Sequence, residues 1–320
     1  MNSPRILAVG GAHIDRRGRI TDAYVPGASN PGVMREDVGG GVFNALRNAV
    51  RRGAVGSLMS IRGGDAAGET VSRAIAAEGI ADLSVVFLDR VTPSYTAIID
   101  RDGEVILGFA DMALYDLAFT KQMRRSKMRE AIERADALLC DANLPASALR
   151  LLAEIAAGKP SFAIAISPAK VSRLADGLSG LSCLFMNQRE AAALSHMSEY
   201  APAAATVRAL QSQGLVSGVI TSGSGPVTGF DGDGLFSIIP PPASAVLDAT
   251  GAGDALAGAT VAAIARGMNL REALREGVAA ATLAVQSRAS VPVFSAQTFA
   301  ATLALVPQAV ELGTKIGETP

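Results

Sequence analysis

The sequence predicts an α/β protein built around a mainly parallel β-sheet. Short apolar runs rich in β-branched residues alternate along the chain with amphipathic or alanine-rich stretches, which is the pattern of successive βαβ units. The chain has 320 residues, of which 49% are hydrophobic and 18% charged, so it can bury a large core. Because we find neither an internal repeat nor a low-complexity linker, we expect residues 1–320 to form a single domain.

The strands are expected where short apolar runs are bounded by charge or glycine: Ile6–Val9, Leu58–Ile61, Ala137–Cys140, Phe162–Ile166, Leu184–Met186 and Gly218–Thr221. The stretches between them predict helices at Val42–Arg52, Gly68–Glu78, Lys121–Ala135, Ala146–Ala156, Gln188–Ser195, Pro202–Gln213 and Ala255–Arg266. Pro202 is expected in the first turn of its helix, where the N–H that proline lacks would have no hydrogen-bond partner within the helix. The basic run Arg124–Arg129 is expected on the solvated face of the Lys121–Ala135 helix.

Two segments interrupt this alternation. The first, residues 13–38, contains prolines and glycines and shows little helical periodicity. The second, Ser94–Phe109, is expected to form two strands joined at Asp102-Gly103, a strong hairpin signal. A small sheet inserted into a parallel core tends to form a flap, so we expect lid segments at about residues 13–38 and 94–113. A simple extension of the sheet edge is the alternative.

Composition excludes several classes of function. A net charge of -1 gives no electrostatic reason to bind a nucleic acid polymer or an anionic membrane. No apolar run is long enough to span a bilayer and no secretion signal is visible, so we expect a cytoplasmic protein without a membrane partner. Cys140 and Cys183 lie in apolar runs and lack metal-ligand spacing with His13 and His196, so neither a disulfide nor a zinc site is expected.

The segment Asp248–Asp254 carries the strongest functional signal. Gly251 and Gly253 allow successive backbone N–H groups to converge, and the N-terminus of the following helix adds partial positive charge, so a phosphate would be stabilised there. A carboxylate beside a phosphate site is repelled unless it performs chemistry, such as accepting a proton from an attacking hydroxyl. Asp254 is therefore a candidate catalytic base, with helix capping as the alternative.

Other nucleotide-binding signatures are missing. The only Gly-Lys pair, Gly158-Lys159, is followed by proline, which excludes a P-loop. Neither Gly10-Gly11-Ala12 nor Gly39-Gly40-Gly41 completes a dinucleotide fingerprint. A nicotinamide enzyme, the alternative of another class, is therefore disfavoured.

Polar residues at predicted strand ends and helix starts complete the candidate site. Asp15 closes the first strand, where a carboxylate can accept two hydroxyl hydrogen bonds from a sugar. Asn44 follows the glycine run at a helix start. Asn187 and Glu190 stand three residues apart and face the same side of a helix, a spacing that also fits a capping box.

These motifs resemble the signatures of the ribokinase-like (PfkB) carbohydrate kinases. The resemblance rests on Gly39–Ala45, Asp248–Asp254, the opening Ile6–Asp15 and Asn187-x-x-Glu190, and it spans nearly the whole chain. It implies a three-layer sandwich with a small β lid that also forms a homodimer interface. It further implies a kinase that uses ATP and Mg²⁺, and in many relatives a monovalent cation such as K⁺.

By that resemblance each candidate residue has a role. Asp254 is the catalytic base, and the anion hole is formed by Gly251, Ala252 and Gly253. The sugar is held by Asp15, Gly40, Gly41 and Asn44, and the nucleotide by Asn187, Thr221 and Gly223. Glu190 binds Mg²⁺ through water, and the monovalent cation is held by Asp248 and Thr250. Pro226 stands where the family usually carries a glycine, which leaves the path of that loop open.

Within the family, Ser29–Gly32, Ala110–Met112 and Cys140–Asn143 are similar to the pseudouridine kinases. This narrower resemblance implies phosphorylation of the 5′-hydroxyl of pseudouridine, with Asn30 and Asp111 near the substrate. Two positions depart from it, since Phe43 replaces an arginine and His13 an asparagine. A ribokinase-type sugar kinase or another nucleoside kinase is the alternative, and a sugar- or nucleotide-binding regulator is the non-enzyme alternative.

Overall fold

The computed structural model of the protein describes residues 3–312. Its strands are β1 Arg5–Val9, β2 His13–Ile20, β3 Gly32–Gly39, β4 Val55–Met59, β5 Ile61–Gly63, β6 Ala81–Asp82, β7 Val85–Phe87, β8 Ser94–Ile99, β9 Val105–Asp111, β10 Ala137–Asp141, β11 Ser161–Ile164, β12 Cys183–Asn187, β13 Gly218–Thr221, β14 Val227–Asp231, β15 Gly234–Ile238 and β16 Val310–Glu311. Its helices are α1 Gly41–Arg51, α2 Ala66–Ala77, α3 Ala113–Met123, α4 Ser126–Arg134, α5 Ala146–Ile155, α6 Gln188–Ser195, α7 Ala203–Ser212, α8 Ala252–Ala265, α9 Leu270–Val285 and α10 Ala296–Leu305, with a 3₁₀ helix at Val171–Gly180.

The main sheet has ten strands in the order β16-β15-β14-β13-β12-β11-β10-β1-β4-β6. The strands from β13 to β6 pair in parallel, whereas β14, β15 and β16 form an antiparallel edge. The chain proceeds from β1 toward one edge through β4 and later returns to β10 on the other side of β1. Open parallel sheets bind ligands at the carboxyl ends of their strands beside such a switch point.

Alternation along the strands divides the core into two layers. In β1, Ile6 and Ala8 pack into one apolar cluster, and Leu7 and Val9 pack into the other. The first cluster includes residues of α1, α2, α8 and α9, and the second includes residues of α3 to α7. Helices on both faces of one sheet make a three-layer α/β sandwich, which confirms the fold that the family resemblance implies.

A separate four-stranded sheet, here called the small sheet, is built from the two segments that interrupt the alternation. Its order is β3-β2-β8-β9, with β2 antiparallel to β3 and parallel to β8. The β8–β9 hairpin turns at residues 100–104, around the Asp102-Gly103 pair at which the sequence predicts the turn. Residues 13–38, for which no element is predicted from sequence, supply β2 and β3.

Three predicted elements differ from the structure. The helix at Lys121–Ala135 is wrong, because α3 ends at Met123 and α4 starts only at Ser126, so the basic run is split by a turn. The strand at Leu58–Ile61 is divided, with Ser60 between β4 and β5. Pro202 precedes α7 as its N-cap instead of lying in the first turn.

Two further expectations, about the cysteines and about membrane-spanning helices, can be compared with the structure over residues 3–312. Cys140 and Cys183 are free and buried in β10 and β12, and burial raises the pKa of each thiol to about 12. Inert structural cysteines have this environment. Within the described range no helix is long and apolar enough to cross a membrane.

Candidate active site

A cavity of about 640 Å³ opens at the carboxyl ends of the parallel strands, beneath the small sheet. Its walls come from the small sheet, from the starts of α1 and α8, and from the ends of β12 and β13, and the polar residues that line it include His13, Asp15, Asn44, Tyr95, Asn143, Lys170, Asn187, Glu190, Thr221, Thr250 and Asp254. A cavity of this size can enclose most of a small organic ligand. The structure therefore brings most of the sequence-predicted site residues together.

Asp254 and Asn44 meet where α8 crosses α1. The Asn44 Nδ2 donates a hydrogen bond of 3.1 Å to Asp254 Oδ2. The two helices approach closely because Gly258 lies against the backbone of Ala45, where a Cβ would collide with the Ala45 carbonyl. The small-residue composition of α8 thus sets the position of the Asp254 carboxylate.

The surroundings of Asp254 disfavour its charged form. Burial is the main cause and raises the pKa of Asp254 to about 8, although the hydrogen bond from Asn44 opposes the shift. The carboxylates of Asp141, Asp15 and Glu190 raise it further. A carboxylate whose pKa lies near neutral pH can accept a proton in one step and release it in the next. The N-cap position of α8 is Gly251, and among the described residues the hydrogen bond of the Asp254 side chain comes from Asn44, so the capping alternative finds no support in the geometry.

The start of α8 presents free backbone N–H groups to the cavity. Gly251 precedes the helix with φ of +80°, and a Cβ there would meet the Ser290 carbonyl, so this turn requires glycine. The Ala252 amide donates to Ala249 O at 3.3 Å, which removes it from the predicted anion hole. In the described range no backbone acceptor outside the helix pairs with the Gly253 or Asp254 amide. These two N–H groups and the helix N-terminus are suited to binding an anion.

Asp15 lies across the cavity from α8, but not at the end of the first strand as expected. β1 ends at Val9, and Asp15 belongs to β2 of the small sheet, where it pairs in register with Tyr95 of β8. His13 Nε2 stands 3.2 Å from Asp15 Oδ1. Carboxylate, imidazole and phenol thus converge on one wall of the cavity.

The glycine run before α1 lets the backbone approach the site closely. Gly40 has φ of +116°, and a Cβ there would collide with the Gly11 carbonyl. A Cβ on Gly41 would collide with Ile166 and would lie near Asp254. Both glycines line the cavity, as their predicted place beside a substrate requires.

Asn187 and Glu190 line the opposite end of the cavity and form a complete capping box on α6. The Asn187 amide donates to Glu190 Oε2 at 2.7 Å, and the Glu190 amide donates to Asn187 Oδ1 at 2.9 Å. The capping alternative is therefore realised in the structure. Burial also raises the pKa of Glu190, and a buried carboxylate of this kind favours a nearby cation. A single carboxylate fits an ion held mainly through water, as Mg²⁺ prefers.

Thr221 is the last residue of β13, and Gly223 lies on the loop that follows. Thr221 pairs in register with Asn187 across the two strand ends and lines the cavity. Gly223 has φ of +55° in a turn closed by a hydrogen bond of 2.8 Å from Gly225 N to Ser222 O. β14 starts at Val227, immediately after Pro226, so the proline ends the loop without entering the strand.

Asp248 and Thr250 precede α8. Asp248 Oδ2 accepts from Arg17 Nη1 at 2.7 Å, and Asp248 Oδ1 accepts from the Thr250 amide at 2.8 Å. Thr250 also lines the cavity. Both oxygens of the carboxylate are thus engaged within the protein.

Other residues singled out by the sequence lie away from the cavity. Asn30 bonds within its own loop, accepting from Val25 N at 2.8 Å and donating to Val25 O at 2.9 Å. Asp111 is exposed at the end of β9, where its neighbours Ala110 and Met112 line the cavity instead. Phe43 is fully buried in the core, so of the two departures from the pseudouridine kinase pattern only His13 faces the site.

Comparison with known proteins identifies the family to which the chain belongs. The family model described as "pfkB family carbohydrate kinase" matches residues 3–295. The chain belongs to this family of kinases. Its members transfer a phosphoryl group to an alcohol, and the substrate is a sugar or a nucleoside.

Individual relatives cover most of this kinase. A pseudouridine kinase of Escherichia coli (strain K12) is 26% identical over 273 residues, covering 84% of this chain and 87% of that protein. A solved structure described as a carbohydrate kinase from Agrobacterium tumefaciens is 46% identical, with a TM-score of 0.83, and covers 96% of this chain and 99% of that one. The Arabidopsis thaliana ribokinase complexed with ribose and ATP has a TM-score of 0.83 at 21% identity, covering 95% and 99% of the two chains, and this likeness concerns the fold.

Sequence reasoning missed the role of Asp141, the last residue of the buried strand β10. It is fully buried and accepts hydrogen bonds from the amides of Gly11 and Val42, both at 3.1 Å, and from the amide and side chain of Asn143 at 3.0 and 3.2 Å. Burial raises the pKa of Asp141, although these donors oppose the shift. This carboxylate ties the end of β1 to the start of α1. A carboxylate at the end of an apolar run was the available signal.

Lys170 was also missed, because the segment between β11 and the 3₁₀ helix shows no motif. Its Nζ donates to Asn143 Oδ1 at 2.6 Å, and both residues line the cavity. Burial lowers the pKa of Lys170, while the charge of Asp141 opposes that shift. The ammonium has three donors, and the hydrogen bond to Asn143 uses one of them.

Proposed function

We propose that this kinase uses ATP to phosphorylate the 5′-hydroxyl of a ribosyl nucleoside, most specifically pseudouridine. The observation that carries the proposal is the position of Asp254. Its carboxylate has a raised pKa, accepts a hydrogen bond from Asn44, and lies beside the Gly253 and Asp254 amides, which have no partner outside the helix among the described residues. Asp15 faces the same cavity from the small sheet.

In the proposed reaction Asp254 accepts the proton of the substrate hydroxyl. The hydroxyl oxygen then bonds to the γ-phosphorus of ATP, the bond from that phosphorus to the β,γ-bridging oxygen breaks, and ADP leaves. The amides of Gly253 and Asp254 would stabilise the negative charge on the transferring phosphoryl group. Asp15 and Asn44 would align the ribose, which supports catalysis by fixing the reacting atoms.

The other end of the cavity would hold the nucleotide. Asn187 and Thr221, adjacent on two strand ends, supply polar groups there, and Gly223 leaves room at the loop. Glu190 would bind Mg²⁺ through water. When bound, the ion neutralises charge on the nucleotide phosphates.

Three features support a nucleoside over a free sugar. Lys170 can donate to a carbonyl oxygen of a base, and Tyr95 offers an aromatic face for stacking. The similarity to a pseudouridine kinase of Escherichia coli points in the same direction.

The substrate proposal is tested by measuring kcat/KM for pseudouridine, uridine, adenosine and ribose at one ATP concentration. We expect the highest kcat/KM for pseudouridine, a lower value for uridine, and the lowest values for ribose and adenosine. Ribose lacks a base and so loses its binding energy, and the larger purine ring of adenosine would prevent the small sheet from closing over the cavity. Ribose ahead of every nucleoside would overturn the nucleoside proposal and leave the kinase chemistry intact.

A ribokinase-type sugar kinase is the alternative. The position of Asn30 favours it, because the hydrogen bonds of that side chain stay within its own loop and contribute nothing to enclosing a base. The Arabidopsis ribokinase of the same fold was solved with ribose and ATP. The same kinetic panel separates the two candidates.

We further propose that the small sheet acts as a lid and pairs with a second copy of the chain. On the face that is turned away from the main sheet, β3 and β9 carry three apolar side chains that are each more than half exposed, Met34, Leu107 and Phe109. Such a patch favours association in water. Size-exclusion chromatography with light scattering should give a dimer for the native chain and a monomer for Phe109→Asp. A monomeric native chain would exclude the pairing.

A further inference from the structure

An ion pair joins the small sheet to the segment that leads into α8. Arg17 on β2 and Asp248 lie 231 positions apart in the sequence, and Arg17 Nη1 stands 2.7 Å from Asp248 Oδ2. Their side chains are 21% and 30% exposed, so the pair is screened less than one at the open surface.

Arg17 occupies a particular place on its strand. Side chains two apart along a strand point to the same face, so Asp15 and Arg17 share the face of β2 that is turned toward the main sheet. Asp15 lines the cavity, and Arg17 reaches the approach to α8. One strand therefore supplies both a substrate-facing carboxylate and a contact to the phosphate-facing helix start.

The Asp248 carboxylate also accepts a hydrogen bond from the backbone of its own segment. Its second oxygen accepts from the Thr250 amide at 2.8 Å, and the Ala252 amide donates to Ala249 O at 3.3 Å. These bonds fold the turn that ends at Gly251, directly before the Gly253 and Asp254 amides. Any displacement of Asp248 would shift the turn and redirect those amides.

The arrangement bears on the monovalent cation that the family resemblance implied at Asp248 and Thr250. A monovalent cation gains most from a carboxylate whose charge is not already neutralised by a cationic side chain. Here one Asp248 oxygen is paired with a guanidinium and the other accepts a backbone N–H. The Asp248 side chain therefore does not fit the role of a cation ligand in this chain.

We infer that Arg17 is a positioning residue that supplies, from within the chain, the positive charge opposite Asp248, and that it couples the small sheet to the proposed anion hole. Catalysis then requires no monovalent cation at this carboxylate. The inference rests on the proposed function through the role given to the Gly253 and Asp254 amides.

The test compares Arg17→Met with Arg19→Met. Met keeps much of the aliphatic stem and removes the charge. Arg19 lies on the same face of β2 and donates to Arg101 O within the small sheet, away from α8. Kinetics are measured in potassium chloride and in tetramethylammonium chloride at equal ionic strength. Thermal unfolding in both salts gives a readout independent of turnover.

We expect the native kinase and Arg19→Met to show equal turnover and equal Tm in the two salts. Arg17→Met should lose about tenfold or more in kcat, with a smaller change in the KM for the nucleoside, because the amides act on the transferring phosphoryl group. Potassium should restore part of the kcat and raise the Tm of this variant only, since Asp248 is then free to bind it.

A double-mutant cycle with Asp248→Asn isolates the pair. If the two residues act as one unit, the double variant should be no worse than the more damaged single variant. A native kinase that needs potassium, or an Arg17→Met variant indistinguishable from Arg19→Met, would overturn the inference. Loss of activity in Asp254→Asn alongside a normal Arg17→Met would refute the role of Arg17 alone, whereas full activity of Asp254→Asn would refute the proposed function itself.

Discussion

Asn44 on α1 donates a hydrogen bond of 3.1 Å to Asp254 on α8, across 210 positions of sequence. The contact depends on Gly258, which lets α8 lie against the backbone of Ala45. A single glycine in the helix–helix interface therefore places the amide that holds the proposed base. The predictions below begin with that base.

Replacing Asp254 with Asn retains the shape of the side chain and removes its ability to accept a proton. We expect kcat to fall about 10²- to 10⁴-fold, the range typical of a lost general base, with little change in substrate affinity. Steady-state kinetics and calorimetric titration of the nucleoside measure the two effects separately. A fall of less than about threefold would remove Asp254 from the base role.

The raised pKa of Asp254 predicts the pH dependence of the reaction. The base works only when deprotonated, and its pKa in the free protein is about 8. The value of kcat/KM for the nucleoside should therefore rise with pH and level off above about 8, because this parameter reports groups of the free enzyme. The residual activity of Asp254→Asn should lack that rise. A native profile that is flat from pH 6 to 9 contradicts the assignment.

The same shift predicts an effect on stability. The pKa of Asp254 is raised from 3.8 to about 8 in the folded protein, so between those values the folded state binds a proton that the unfolded state has released, and stability falls as pH rises. Asp254→Asn removes this loss. Thermal unfolding without ligands should show a Tm gain for the variant that is larger at pH 8.5 than at pH 5. An equal difference at both pH values would show that Asp254 does not titrate in this window.

Gly251 and Gly253 should respond differently to substitution, although both belong to one motif. A Cβ on Gly251 meets the Ser290 carbonyl at a positive φ, so Gly251→Ala should lower the Tm. A Cβ on Gly253 meets no atom within 4 Å and points into open space beside the cavity. Gly253→Val should therefore keep its Tm and lose turnover. Normal turnover of a stable Gly253→Val protein would exclude the anion hole.

The periodicity of the sequence was sufficient for the parallel sheet and most of its helices, because buried strands and amphipathic helices differ in apolar spacing. It failed at Lys121–Ala135, where the apolar period continues across Arg124 and Arg125 although the backbone turns there. It also gave no element for residues 13–38, since both β2 and β3 are rich in charged residues and β3 is exposed on both faces along most of its length. Strands of this kind are defined by their partners across the small sheet.

The residues of the candidate site also fall into two groups, those that could be predicted from the sequence and those that could not. Residues within short motifs, such as Asn44, Asn187 and Asp254, were predicted and meet at the cavity. Asp141 and Lys170 belong to separate parts of the chain, and their significance lies in contacts made by folding, which spacing alone does not encode. Asn30 was predicted from a local pattern, but its own loop satisfies its side chain.

Lys170 provides the sharpest test of the substrate. If its ammonium donates to a base carbonyl, Lys170→Met should lower kcat/KM for pseudouridine about tenfold to a hundredfold, as expected for a lost charged hydrogen bond. Turnover of ribose and the KM for ATP should change little, because neither ligand offers that carbonyl. Lys121→Met, which removes an exposed ammonium from α3, is the matched control. An equal loss with pseudouridine and with ribose would place Lys170 beside the sugar instead of the base, because the missing contact would then be common to both substrates.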